Sequence, residues 1–508
     1  MVEVLNTVKK SKARPGVGAL PEGERPQSLY AARTKIFPKA VKGFYRTLKT
    51  RFAWVALLIY FGLPWIRWDR GPGLPDQAVL VDLQHRRFYF FTIEIWPQEF
   101  YYVAGLLILA GIGLFVVTSM FGRAWCGYGC WQTVWTDWFM WVDRKIEGDR
   151  NAQQKLDNMP WNFEKIRKRG LKYLIYTLIA FATALTFILY FADAPSLVYW
   201  FFTGQAPFVA YSTVAIMGFI TWLFAGFMRE QVCIYMCPWP RIQGAMVDED
   251  TLIVTYNDWR GEPRGTRGDR KRHKEIRHGD CIDCGLCVAV CPTGIDIRDG
   301  QQLACITCAL CIDACNGVMQ KIGKPEGLIS YSNVKTYNAH VTGQLKPEDQ
   351  KSFGWRDVIR PRTIVYLLFW LAIGTAMFLH LTLRERLQIN VVHDRNPIYT
   401  TLSNGEVRNG YTVRLLNMQL KPRVFRISME GLEAGRMRIL ELNRPAARSF
   451  EVEVPANKAK TLKVYVTADP ARLKAGRVEF RFRIDALATD STPAETAYKR
   501  AVFEAPGK

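Results

Sequence analysis

Long apolar runs fill the first three quarters of the chain, and short alternating runs fill the remainder. Five segments read as membrane spans: about 52–68 (FAWVALLIYFGLPWIRW), 101–121 (YYVAGLLILAGIGLFVVTSMF), 171–192 (LKYLIYTLIAFATALTFILYFA), 208–228 (FVAYSTVAIMGFITWLFAGFM) and 363–382 (TIVYLLFWLAIGTAMFLHLT). The last four approach the roughly 20 apolar residues that a helix needs to cross the hydrocarbon core. The first is shorter and carries Pro64. Beyond 383 the runs YTVRLLNM, VFRISME, RSFEVEVP, TLKVYVTA and VEFRFRIDA alternate polar and apolar positions, with turn residues between them. That period of two predicts a β-sandwich.

Between the second and third spans, WQTVWTDWFMWVD places Trp131, Trp135, Trp138 and Val142 on one helical face. Gln132, Thr136, Asp137 and Asp143 fall off that face. This predicts an aromatic helix lying in the headgroup layer.

Charge sets the topology. Residues 1–51 carry twelve Lys/Arg against three Glu and contain no apolar stretch of the kind a cleavable signal needs. The loop 122–170 is also basic, 69–100 has three arginines among several acids, and 193–207 has no basic residue. An inside amino terminus with five spans puts both basic stretches on one face. Residues 229–362 then return to the cytoplasm, and 383–508 lie outside. The expected parts are a basic tail (1–51), a membrane domain (52–239), a cytoplasmic linker and cysteine-rich domain (240–362), a fifth span (363–382) and an outer sandwich (383–508). The net charge of +22 is accounted for by this asymmetry. No nucleic-acid motif accompanies it, so nucleic acid is not an expected partner.

All twelve cysteines lie between Cys126 and Cys315 in tight groups, which is the pattern of metal sites rather than of a disulfide framework. Cys281-x2-Cys284-x2-Cys287-x3-Cys291-Pro292 is followed by Cys305-x2-Cys308-x2-Cys311-x3-Cys315. In this bacterial ferredoxin pattern the fourth cysteine of each run ligates the other cluster. One [4Fe-4S] cluster would take Cys281, Cys284, Cys287 and Cys315, the other Cys305, Cys308, Cys311 and Cys291. Asn316 stands where a second proline is usual, but proline is no ligand. Paired zinc sites have the same ligand count, yet their CxxC knuckles are normally further apart.

Two further pairs, Cys126-x3-Cys130 and Cys233-x3-Cys237, follow the second and fourth spans. On a continuous helix, i and i+4 share a face, so each pair would offer two soft sulfurs suited to Cu(I). Gly127 and Gly129 weaken a helix there and make a turn the alternative. Inert buried thiols are the ordinary reading of one such pair. Two matching pairs beside an electron relay point instead to a bound metal substrate, a redox dithiol or a further metal centre. His380 reads as an interfacial residue, His273 and His278 as solvated, His85 as unpatterned, and Met217, Met228 and Met236 as core or lipid-facing positions.

The segments RAWCGYGCWQTVWTD, REQVCIYMCPWPRIQGAMVDEDTLIVTYNDWRGEPRG, GDCIDCGLCVAVCPTGIDIRDG and CITCALCIDACNGVM resemble the cbb3-type cytochrome oxidase accessory proteins, the CcoG/FixG/RdxA family. The likeness runs over nearly the whole chain. It implies an immunoglobulin-like carboxy-terminal domain, a bacterial inner-membrane location and reduction of Cu(II) to Cu(I) for oxidase assembly. By position it implies that Cys126, Cys130, Cys233 and Cys237 handle copper, as substrate or bound ion, while the eight ferredoxin cysteines deliver electrons. The implied partners are a copper-exporting P-type ATPase and oxidase assembly factors; the electron donor and a homodimeric state stay open. One departure is Trp131, where the family's first pair is followed by proline. A quinol-linked electron-transfer subunit and a non-enzymatic assembly scaffold are the competing readings.

Overall fold

The computed structural model describes residues 35–506 apart from 72–73, 273–274, 276, 346–358, 384–386, 420, 474–475 and 489–493. Most of the basic amino-terminal tail, and His273, lie outside the described residues. The chain divides into two compact units. One takes the chain up to Arg67, Gln77–Glu99 and Ala110–Leu368; the other takes Trp68–Asp76, Phe100–Leu109 and the chain from Phe369 onward.

In the first unit, α1 runs Phe44–Gly62 and ends in a short 3-10 turn at Leu63–Trp65 that holds Pro64. The first predicted span is thus displaced: the helix begins eight residues before the apolar run does and stops at Gly62. Its polar opening turns dock on protein. Asp313 accepts from the backbone N–H groups of Tyr45 and Arg46 at 3.2 and 2.7 Å, satisfying two donors that a helix start leaves unpaired. A small antiparallel sheet follows, with β1 Val79–Asp82, β2 Arg87–Phe90 and β3 Ile93–Ile95.

Next come α2 Tyr101–Phe121, α3 Ala124–Tyr128, α4 Trp131–Ile146, α5 Arg150–Asn158, α6 Phe163–Leu189 and α7 Ala194–Thr203. Then α8, Phe208–Thr221, continues into a π-helical turn over Trp222–Met228, and a second π turn spans Val232–Met236 before α9, Trp239–Met246. Gly226 lets the first π turn approach α4 and α6, since a Cβ there would stand 3.0 Å from the Tyr176 ring and 3.1 Å from that of Phe139.

Helix α4 corrects the headgroup-anchor expectation. Val134, Trp135, Phe139 and Val142 are buried against Leu57 and Tyr60 of α1 and Tyr176 and Ile179 of α6. The polar face is buried as well. Asp137 pairs with Arg46 at 2.7 Å and Lys49 at 3.8 Å, and Asp143 pairs with Arg229 and with Lys172 at 3.2 Å. Trp131 and Trp141 remain half exposed. Buried carboxylates of this kind need such partners, because an unpaired charge away from water is costly.

The cysteine-rich region is built from β4 Ile253–Tyr256, α10 Asp258–Gly261, α11 Arg267–Arg272, α12 Leu286–Ala289, α13 Leu310–Lys321, β5 Ile329–Ser332 and α14 Val334–Val341. The antiparallel pair β4–β5, with Val254 opposite Tyr331, clasps the two cysteine runs between its ends. The last long helix, α15, covers Pro361–Leu383. Among the described residues, four helical segments are long and apolar enough to cross a membrane, as expected of a membrane protein: Pro97–Phe121, Phe163–Leu189, Phe208–Met228 and Pro361–Leu383.

The second unit contains the alternating runs expected of a sandwich. Its strands are β6 Leu387–His393, β7 Thr400–Thr401, β8 Val407–Asn417, β9 Arg423–Glu430, β10 Arg436–Ile439, β11 Ser449–Val454, β12 Lys458–Ala468, β13 Arg477–Ala486 and β14 Glu495–Glu504. One sheet has the order β10-β12-β8-β6 with β7 on β8, and the other β11-β9-β13-β14. Inward residues such as Val413, Leu415, Ile427, Val464 and Phe482 are fully buried. In the same unit His380 pairs with the Tyr102 hydroxyl through its Nδ1.

Candidate metal centres

The two cysteine runs fold as near copies. In each, the residue before the second cysteine and the residue after it are left-handed: Asp283 (φ 50°) and Gly285 (φ 64°) in the first, Thr307 (φ 54°) and Ala309 (φ 60°) in the second. Alternating the backbone hand turns successive N–H groups inward, which suits a cluster of negative sulfurs. Three of the four positions carry a Cβ, and each bears the roughly 1–2 kcal/mol cost of that conformation. Backbone strain of this sort is tolerated where surrounding structure over-determines it.

Each copy closes on a small cavity lined by thiols. The first is lined by Cys281, Cys284, Cys287 and Cys315, with Arg298 among its other walls. The second is lined by Cys291, Cys305, Cys308 and Cys311, and touches Cys287. These are the two quartets expected from the spacing, with the fourth cysteine of each run crossing over. Burial pushes the Cys287 thiol up to about 11 and those of Cys308 and Cys315 up to about 12, so a bound metal must displace their protons. Four thiols around each cavity, with inward amides, fit a [4Fe-4S] group. Cys284 is exposed, whereas Cys308 is buried.

The membrane-edge pairs do not lie on continuous helices. Cys126 sits in α3, and Cys130 follows it with extended backbone (ψ 132°) as α4 begins. Cys233 sits in the second π turn, and Cys237 follows it, also extended (ψ 125°), just before α9. The i/i+4 geometry therefore fails for a common reason: each pair bridges a helical turn to the start of the next helix. Trp131 occupies the first helical position after Cys130.

The fold brings the two pairs together. The Cys126 thiol donates to Gln243 Oε1 of α9 at 3.1 Å, and Gln243 in turn donates to Thr118 of α2 at 3.3 Å. Gln132 of α4 donates to the carbonyls of Phe224 at 2.8 Å and Arg229 at 3.2 Å, tying the first pair to the chain leading into the second. Burial pushes Cys126 up to about 11, with Arg123 opposing and Cys130 and Cys237 adding to the rise. Burial likewise pushes Cys233 up to about 12, reinforced by Cys130, Cys126 and Cys237. Among the described residues, no three His, Cys, Asp or Glu side chains converge tightly enough to enclose a single ion.

This thiol set adjoins the second quartet. A Cβ on Gly127 would stand 2.7 Å from the Ile306 carbonyl oxygen and 3.0 Å from Cys308 Cα. Cys126 packs against the cluster formed by Val290, Ile306, Cys308, Leu310 and Ala314. The Tyr128 hydroxyl donates to the Cys308 carbonyl at 3.1 Å. Arg123 donates to the Leu303 carbonyl, and its charge opposes the burial-driven rise of the Cys126, Cys233 and Cys305 thiols alike. The roles of Arg123 and Gln243, and the close approach of Gly127 to the 306–308 backbone, escaped the sequence reading. The available signal was an arginine shortly before each CxxxC pair, Arg123 and Arg229. His278, expected to be solvated, has both ring nitrogens shielded beside Gly265.

Comparison with known proteins separates the whole-chain likeness from its parts. The chain is 50% identical over 497 residues to the nitrogen fixation protein FixG of Rhizobium meliloti, covering 94% of each chain. It is 52% identical to protein RdxB of Cereibacter sphaeroides, covering 91% of this chain and 95% of that one. The chain belongs to the FixG/RdxA family. Protein RdxA of the same organism is 48% identical over 90% of this chain. A 4Fe-4S dicluster domain model matches 228–334, and a 4Fe-4S binding domain model matches 103–148. The model described as an IG-like fold at the C-terminal of FixG, an oxidoreductase by that description, matches 377–506. The crystal structure of a FixG-related protein from Vibrio parahaemolyticus is 18% identical, with a TM-score of 0.20, over 24% of this chain and 97% of that one. Membership in the family thus comes with an iron–sulfur oxidoreductase character and an immunoglobulin-like domain. The 103–148 match contains Cys126 and Cys130.

Proposed function

We propose that the chain is a membrane cupric reductase that supplies Cu(I) for assembly of a cbb3-type oxidase. The observation that carries this reading is the packing of the Cys126–Cys130 turn, through Gly127, onto the backbone of the Cys305–Cys308 run. When bound, the two cubanes supply one-electron storage and transfer. Cys281, Cys284, Cys287 and Cys315 hold one, and Cys291, Cys305, Cys308 and Cys311 hold the other. Cys126, Cys130, Cys233 and Cys237 receive Cu(II) as substrate, releasing their protons to water as the thiolates bind it. Soft thiolates prefer the reduced ion, so they favour uptake of one electron to give Cu(I). Gln243 and Arg123 hold Cys126 in place and temper its charge.

The remaining expectations belong to this proposal. The first span is α1, which with the four long helices gives five crossings. The basic loops then face the cytoplasm together with the cysteine-rich domain, and the sandwich faces the periplasm. A copper-exporting ATPase and assembly factors take up the product.

The test is a single-turnover assay on anaerobically reduced protein, with Cu(I) trapped by a specific chelator. Replacing Cys126, Cys130, Cys233 and Cys237 by Ser abolishes Cu(I) formation while the cubane EPR signals persist; full activity in that variant overturns the proposal. A second reading is favoured by the 4Fe-4S binding match over 103–148: the four thiols would hold a third cluster. Iron in excess of two cubanes per chain, lost in the same variant, would select it.

A further inference from the structure

We propose that the exposed edge of the first cysteine quartet is a docking surface for a small acidic one-electron carrier protein. The inference rests on the electron-transfer reading above and identifies the side on which electrons arrive.

The two quartets are unequal in their surroundings. The second abuts the thiol set through Gly127 and Tyr128, whereas the first presents Cys284 and its neighbour Asp283 to solvent. A carrier reaching the chain from solution therefore meets the first quartet. A basic segment is fastened beside it. Residues 264–277 carry seven Lys/Arg against Asp269 and Glu275.

A charge run of this kind is ordinarily just a solvated face, but here specific bonds pin it to the cluster loop. Arg270 donates to the carbonyls of Gly279 at 2.6 Å and Cys281 at 2.9 Å, and the Gly265 N–H donates to Cys281 at 3.3 Å. Lys271, Arg272 and Arg277 remain exposed on this segment, and Lys321 and Lys324 are exposed near the end of α13 and just beyond it.

Three of the nearby acids are held in ion pairs. Asp280 pairs with Arg260 at 2.7 Å and Lys324 at 3.0 Å, while Asp283 and Asp296 both pair with Arg298. The resulting surface is positive, and its charges come from two separate parts of the chain. Such an array is too extended for one small anion and suits the acidic face of a protein, whose encounter it would accelerate.

With a cluster bound, Cys281, Cys284, Cys287 and Cys315 would hold the acceptor for one electron from the carrier's reduced cofactor, a flavin or an iron–sulfur centre. The carrier is oxidised by one unit and the acceptor reduced by one; no bond forms or breaks.

The experiment uses the full chain with its clusters in nanodiscs of neutral lipid, with a plant-type acidic ferredoxin as probe. Binding of oxidised ferredoxin and the stopped-flow rate of cluster reduction by photoreduced ferredoxin are both measured between low and high salt. The triple variant Lys271→Glu, Arg272→Glu, Arg277→Glu is expected to weaken binding and slow reduction at least tenfold at low salt, and to lose the salt dependence. Reduction by photoreduced deazaflavin, and copper reduction thereafter, are expected to stay unchanged, which separates failure at this surface from failure of the copper reading. Wild-type binding and rates in the triple variant overturn the proposal. So does a variant that loses only attachment to vesicles of anionic lipid, which would make the surface a membrane contact.

Discussion

Replacing Gly127 by Ala probes the contact on which the proposed electron delivery depends. The added methyl would meet the Ile306 carbonyl oxygen at 2.7 Å, Cys308 Cα at 3.0 Å and Cys308 N at 3.2 Å. All three are backbone atoms, so no side-chain rotation relieves the overlap. Restoring an ordinary contact of 3.4 Å moves α3 and the 306–308 loop apart by about 0.7 Å. Overpacking of this kind costs about 1–3 kcal/mol. Gly244→Ala is the matched control, because its methyl would meet only Leu303 Cδ1, at 3.4 Å. Thermal unfolding in detergent should show Gly127→Ala several degrees below wild type and Gly244→Ala close to it. Single-turnover Cu(I) formation should slow in Gly127→Ala while cubane EPR intensities stay the same. A Gly127→Ala protein with wild-type stability and wild-type Cu(I) formation would refute the packing argument.

Other substitutions test separate parts of the account. Arg229→Met leaves Asp143 with Lys172 as its remaining cation in a buried setting, and loss of such a pair should cost about 3–5 kcal/mol, read from chemical denaturation. Gly285→Ala puts a Cβ on a left-handed residue with nothing within 4 Å of it, and should lower the stability of the metal-free domain by about 1 kcal/mol. Burial acts to raise the Asp248 pKa, but the Thr251 hydroxyl, Arg360 and Arg362 outweigh it and hold the carboxyl below its usual range. The stability it contributes is therefore present above the unfolded value of about 3.9 and disappears as the pH falls through the lower folded value. Asp248→Asn should destabilise the protein at neutral pH, with the difference from wild type vanishing in acid.

The thiol quartets that line the two cavities were legible because their spacing is local. A CxxCxxC run can only wrap a small centre, and the crossover of Cys291 and Cys315 follows from the repeat. The sandwich strands were legible for a similar reason, since alternation such as RSFEVEVP has one buried face whatever lies opposite. What escaped depends on distant partners. The helix at 131–146 shows an aromatic stripe, but whether lipid or protein covers it depends on α1 and α6. Its buried Asp137 and Asp143 are intelligible only with Arg46, Lys49, Lys172 and Arg229 in place. The start of α1 was hidden because FYRTLKTR looks like a solvated tail, yet Lys49 is buried against Asp137. Likewise, the two CxxxC pairs match in spacing, but their spatial meeting is not written in either. Their meeting depends on Gln243 reaching Cys126 and Gln132 reaching the chain at Arg229.

Copper K-edge absorption of the Cu(I)-loaded protein tests most directly whether the two pairs act as one site. The expected result is coordination dominated by sulfur that is lost when either pair, Cys126 with Cys130 or Cys233 with Cys237, is replaced by Ser. Sulfur coordination that survives removal of Cys233 and Cys237 unchanged would contradict it.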